Sequence, residues 1–140
     1  MKVYTNKKEW EGFLSRAKKA YPKEYIEAIW GTETVEGFRI SKFVKMKHVS
    51  TTKAIYHDDF DIKKQDWDAR QEGLNYIGHL HTHPKSSYDS SASSTDHKES
   101  FRLGDRIMGI VVIYKKNNRF VIIPEWWFPQ PTLDFVILDE

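Results

Sequence analysis

Cysteine is absent from the 140 residues, and its absence excludes three kinds of chemistry at once. No disulfide framework can staple the fold, no thiolate can hold a metal, and no cysteine can serve as nucleophile, so any metal must be bound through nitrogen and oxygen. Long apolar runs are missing too. No stretch approaches the roughly 20 apolar residues that span a bilayer, and the opening MKVYTNKKEW is charged throughout, unlike the apolar segment of a signal peptide. The expectation is a cytoplasmic protein with no membrane partner. Charge of one sign is not in excess: 22 Lys and Arg nearly cancel 20 Asp and Glu, leaving a net +2, a balance that does not demand nucleic acid. Internal repeats and long linkers are also lacking. What is present, 39% hydrophobic and 14% aromatic residues, suits one domain over residues 1–140 with a sizeable core.

Several elements are legible from periodicity. Trp10, Phe13, Leu14 and Ala17 recur at helical spacing between charges, which predicts an amphipathic helix from Lys7 to Ala20, stopped by Pro22. Tyr25 to Trp30, closed by Gly31, and Val35 to Lys47 read as two strands of a hairpin. Residues 48–57 have no clear pattern. Asp58 to Gly73 reads as a second helix, with Phe60, Ile62, Trp67 and Leu74 as apolar anchors and Gly73 at the C-cap. NYIGHLHTH, Asn75 to His83, reads as a strand stopped by Pro84. KSSYDSSASST, Lys85 to Thr95, reads as a loop, and Asp96 to Leu103 as a helix. RIMGIVVIYKKNNRFVIIPEWW predicts two strands around an Asn117-Asn118 turn, and Leu133 to Leu138 a last strand.

The chemistry gathers at the end of the Asn75–His83 strand. Side chains alternate along a strand, so His81 and His83 point the same way with Cα atoms roughly 6.6 Å apart, and two imidazoles can converge on one ion. A catalytic zinc takes three protein ligands and keeps a position for water. Asp96, beyond the serine-rich loop at the predicted start of a helix, is the candidate third donor. Ser93, on the same loop, could donate to a developing oxyanion.

HTHP (His81 to Pro84) followed by SSTD (Ser93 to Asp96) resembles the JAMM motif, HxHP, a spacer and SxxD, of the JAB/MPN metalloprotease family in its compact prokaryotic or phage form. The spacer from Pro84 to Ala92 holds nine residues, longer than the family's usual one, and Ala92 stands where proline is common. Ser91 would shorten the spacer but leaves serine at position 94, so Ser93 with Asp96 is preferred. A second block, YPKEYIEAIWG, resembles the family's N-terminal segment through Pro22, Glu24 and Gly31. The resemblance implies an α/β, three-layer, cytidine-deaminase-like fold with a mixed, partly curled sheet flanked by helices. It also implies Zn2+ held by His81, His83 and Asp96, Glu24 as general base and Ser93 as support for the tetrahedral intermediate. Glu27 is the rival base, although it falls where the family usually has a small residue.

The implied activity is zinc-dependent hydrolysis of an amide or isopeptide bond. Its substrate would be a protein or peptide with an extended C-terminal tail, a ubiquitin-like or other protein modifier freed from a conjugate. The alternatives are a phage or cell-wall peptidase with the same centre and a non-catalytic binding scaffold. Other features have plainer readings. His48 and His57 read as solvated side chains, and Asp89 and His97 are weaker ligand candidates than Asp96. His79 either lines the site behind the ligands or packs into the core. Trp126 to Pro131 is a partner patch or, more simply, core aromatics.

Overall fold

The computed structural model describes residues 1–46, 48–50, 55–57, 59–84, 104–127 and 134–139. The chain runs β1 (Lys2–Asn6), α1 (Lys7–Ala20), β2 (Ile26–Thr34), β3 (Gly37–Lys45), β4 (His48–Ser50), β5 (Ile55–His57), α2 (Asp59–Gln71), β6 (Asn75–His83), β7 (Ile107–Lys116), β8 (Arg119–Trp127) and β9 (Asp134–Leu138). Seven strands form one sheet in the order β8-β7-β6-β2-β3-β1-β9, while β4 and β5 pair separately. The large sheet is mixed. β6 runs parallel to β7, and β1 runs parallel to both β3 and β9, whereas the β2–β3, β2–β6 and β7–β8 pairs are antiparallel.

Both faces of the sheet are covered. α1 starts where the Asn6 side chain accepts a 2.8 Å hydrogen bond from the Glu9 N–H, satisfying one of the donors a helix start leaves open. It buries Trp10, Phe13 and Ala17 against Ile29, Phe38, Phe43, Leu80 and Val111. On the other face Ala69 of α2 packs with Ile26, Ala28, Trp30 and Met46. Helix, sheet and helix thus make three layers, as α/β architectures with apolar strands on both faces require. The helix expected over Asp58 to Gly73 is present as Asp59–Gln71, but Trp67 does not anchor it: Trp67 is 67% exposed, and Ala69 meets the sheet.

The sheet also curls. β8 and β9 are its opposite edges, yet the Trp126 and Phe135 rings lie 5.3 Å apart, and Phe135 in turn meets Trp10 edge-on at 4.8 Å. Curling around α1 lets the edges share one aromatic core, and Trp126 is buried in it. The turn from β7 to β8 is closed by Asn117 and Asn118 at φ of 52° and 60°, the left-handed pair that two-residue hairpins need and that asparagine tolerates better than most residues. β1 was not legible from its charged flanks, and it enters the sheet by burying Val3 and Thr5. No helix among the described residues is long and apolar enough to cross a membrane.

Candidate metal centre

β6 lies inside the sheet between β2 and β7, and its register decides where each polar side chain goes. Ile26 faces His81, Glu27 faces Leu80 and Ala28 faces His79 across the antiparallel pair. Residues directly opposite in a sheet project from the same face. His79, His81 and His83 therefore share the α2 face with Ile26 and Ala28, while Leu80 and Glu27 share the α1 face. His79 and His81 are buried and His83 is half-buried.

The three rings form a file. The Nε2 of His81 lies 3.1 Å from the Nε2 of His83, and the Nε2 of His79 lies 3.2 Å from the Nδ1 of His81. The His79 and His81 rings stack with centroids 5.3 Å apart. Two imidazole nitrogens facing each other at such a distance need a proton or a cation between them, since two bare lone pairs repel. Behind the file, His79 Nδ1 is hydrogen-bonded to the Asp105 carboxylate, which also accepts from the Tyr76 hydroxyl. The His79 and Asp105 side chains are only 3% and 1% exposed.

A bulge makes that last arrangement possible. Ile29 pairs with Gly78 but Trp30 pairs with Tyr76, so Ile77 is skipped. An extra residue reverses the alternation of faces beyond it, which puts Tyr76 and His79, three positions apart, on one face. The Ile77 carbonyl accepts a 2.9 Å bond from the Arg106 N–H, fixing the residue after Asp105 against the bulge. Gly78 permits the close approach: a Cβ there would stand 1.8 Å from the Ile107 carbonyl oxygen.

The two carboxylates weighed as base differ sharply. Glu27 is fully buried on the α1 face, clamped by the Arg16 guanidinium at 2.6 and 3.0 Å and by the Tyr25 hydroxyl. That hydrogen bond holds the Arg16 pKa above its usual value, and burial, followed by the Glu27 contact, pushes the Tyr25 phenol up. Glu27 thus balances a helix against the sheet on the side away from the histidines. Glu24 is half-buried just before β2. Tyr25 and Thr82 exchange two hydrogen bonds, Tyr25 N–H to Thr82 Oγ1 and Thr82 N–H to the Tyr25 carbonyl, both 2.9 Å. β2 begins at Ile26 and its last pair with β6 is Ile26 with His81, so these two bonds tie the segment that carries Glu24 to the end of β6.

Ser93 and Asp96, with the weaker candidates Asp89 and His97, lie outside the described residues, as does the expected helix of Asp96 to Leu103. Among the described residues no group of three or more His, Asp or Glu side chains is placed to hold an ion. Asp105 and Tyr76 were not singled out from the sequence. Asp105 precedes a strand by two residues in chain order, and only the parallel pairing of β7 with β6 brings it beside His79. The open groove lined by Tyr4, Thr34, Val35 and Arg39 is at the far end of β2 and includes none of the histidines.

The fold and sequence have known relatives. A protein of Desulfitobacterium hafniense, known from its solution structure, superposes with a TM-score of 0.67 at 18% identity, over 99% of this chain and 94% of that one. A JAB1/MPN domain protein of Archaeoglobus fulgidus, known from its crystal structure, superposes with a TM-score of 0.58 at 18% identity, over 97% of this chain and 99% of that one. None of the curated proteins matches the sequence. The family described as prokaryotic homologs of the JAB domain matches residues 7–128, which include α1, the Glu24 segment and the whole histidine strand. The chain belongs to this family of prokaryotic JAB-domain homologs.

Proposed function

We propose that this JAB-domain chain is a zinc-dependent hydrolase of amide or isopeptide bonds. The observation that carries the reading is the convergence of His81 and His83 Nε2 atoms at 3.1 Å on the HTHP strand. Two nitrogens each about 2.0–2.1 Å from a tetrahedral zinc lie about 3.3 Å apart, so the donor pair fits one shared ion, and a cysteine-free chain leaves imidazole and carboxylate as the available ligands. Asp96 is the proposed third ligand, carried over from the SxxD motif.

Zinc bound there would supply Lewis acidity toward the scissile carbonyl and bring the pKa of an attacking water down to about 7. Glu24 takes the proton from that water and returns it to the leaving amine. The register that turns Glu27 to the opposite face supports Glu24 in this role. Ser93 donates its hydroxyl toward the oxyanion as the carbonyl becomes tetrahedral. Thr82, through its bonds to Tyr25, keeps the Glu24 segment beside the end of β6. The substrate is a protein or peptide with an extended C-terminal tail, such as a ubiquitin-like modifier on its conjugate.

The test combines metal content with turnover. Purified wild type should carry about one zinc per chain, and His81→Ala and Asp96→Ala should carry little. Glu24→Gln should retain zinc and lose cleavage of ubiquitin-like conjugates by at least about 100-fold, the lower end of what a general base contributes. Equal zinc in wild type and His81→Ala would sink the centre. Stoichiometric zinc without chelator-sensitive cleavage of any conjugate or peptide would leave a binding scaffold.

A further inference from the structure

We infer that Asp105 and His79 act as positioning residues that fix the tautomer of His81, so that its Nε2 lone pair faces His83 and the ion site. The inference rests on the zinc reading above and extends it to groups that would never touch the metal. It follows from counting protons along the file. An ionised Asp105 can only accept hydrogen bonds, and it accepts from Tyr76 O–H on one oxygen. His79 must therefore present an N–H at Nδ1, the nitrogen bonded to Asp105. A neutral imidazole carries one N–H, which leaves the His79 Nε2 as an acceptor. The partner facing it at 3.2 Å is His81 Nδ1, which must then be the protonated nitrogen of His81. The Nε2 of His81 is left with its lone pair, pointed at the Nε2 of His83 3.1 Å away.

The sequence of donors and acceptors holds for neutral imidazoles, the form in which histidine binds a metal. His79 and Asp105 are almost wholly buried, which keeps solvent off the hydrogen bond they share. The bulge at Ile77 puts Tyr76 and His79 on one face, and the Arg106 N–H to Ile77 bond holds the neighbour of Asp105 against that bulge. Outer hydrogen bonds of this kind orient a ligand imidazole and raise its basicity, and their loss typically costs 10- to 100-fold in metal affinity. The relay here is longer than a simple carboxylate–imidazole pair, because a second histidine stands between the carboxylate and the ligand.

Asp105→Asn is the discriminating variant. It keeps the shape but lets the carboxamide donate to His79 Nδ1, and the whole file can then reverse, leaving the proton of His81 on Nε2. Tautomers are read from the imidazole 15N shifts of metal-free protein, and zinc affinity from competition with a chromophoric chelator. Wild type should show His81 protonated at Nδ1. Asp105→Asn should show Nε2–H at His81 and bind zinc about 10- to 100-fold more weakly. His79→Phe, of similar size but without polar atoms, should lose affinity to a similar degree. His79→Gln should recover to within about threefold of wild type, since its amide oxygen accepts from His81 while its NH2 donates to Asp105.

An unchanged His81 tautomer and unchanged zinc affinity in Asp105→Asn would overturn the relay, as would His79→Gln binding no better than His79→Phe at equal melting temperature. If Asp105→Asn does not fold, the comparison of His79→Phe with His79→Gln decides the matter alone. Failure of the zinc reading is distinct: wild type and His81→Ala would then bind zinc equally, while the tautomer in the metal-free protein would still decide for or against the relay.

Discussion

The two faces of the sheet bury charge to different ends. Under α1, Glu27 is enclosed with Arg16 and Tyr25, its oxygens taken up by a guanidinium and a phenol. Under α2, the buried carboxylate of Asp105 is directed through His79 toward two imidazoles whose remaining nitrogens converge. The first arrangement uses its hydrogen-bonding capacity internally and joins helix to sheet. The second passes it along a file that ends at a half-buried histidine. A buried carboxylate alone does not mark a site; the direction in which its partners lead does. Glu27 makes the same point, since it is fully buried yet its partners lead to α1 and away from the histidines.

The comparison can be broken most directly at Arg16. Replacing it with methionine would leave the Glu27 charge buried with only Tyr25, and stability should fall by about 2–4 kcal/mol, toward the lower end because the Arg16 side chain is 40% exposed. Urea unfolding gives the stability, and zinc titration should be unchanged because the altered face is not the one with the histidines. A large loss of zinc affinity in a folded Arg16→Met protein would show that the two faces are not independent.

A smaller effect is expected where the faces meet, at Thr82. Thr82→Val keeps the shape but removes the acceptor for the Tyr25 N–H, and an unsatisfied buried donor costs about 1–3 kcal/mol. The melting temperature should fall, and turnover should fall more than zinc content, because the loosened element precedes β2 and carries Glu24. Equal loss of both would argue that Thr82 only supports the fold.

The smallest effect should come from Glu33, paired with Arg106 at the surface at 2.9 and 3.1 Å. The Arg106 hydrogen bond lowers the Glu33 pKa below its ordinary value. A carboxylate with a depressed folded pKa stabilises above its unfolded pKa, and the contribution is lost as pH falls through the lowered value. Both groups are exposed, so solvent screens the pair. Glu33→Gln should barely change the melting temperature at pH 7 and slightly flatten its decline in acid. A marked change at pH 7 would mean that the pair braces the Asp105 segment through Arg106.

Much of the architecture was legible because it is written locally. The spacing of Trp10, Phe13 and Ala17 gives α1, the Asn117-Asn118 pair gives the β7–β8 turn, and the alternation in HLHTH puts the histidines on one side. The curled three-layer sheet implied by the family resemblance is the one observed. β1 was missed because a strand of five residues between charges has little pattern of its own, and it is stabilised by parallel neighbours far away in sequence. Trp67 was misread because helical periodicity counts apolar residues without knowing how α2 is rotated on the sheet.

By itself the sequence determined which residues could bind an ion and that two of them stand on one strand face, since alternation and side-chain chemistry need no partner. Only the tertiary structure decided what lies behind them. The bulge at Ile77, the parallel pairing of β7 beside β6, and the rotation of Glu27 toward α1 all depend on contacts between distant segments, and a one-residue shift in pairing exchanges the faces of a strand. That is why His79 remained undecided between core and site in the sequence, and why Asp105 had no visible role until β7 lay alongside it.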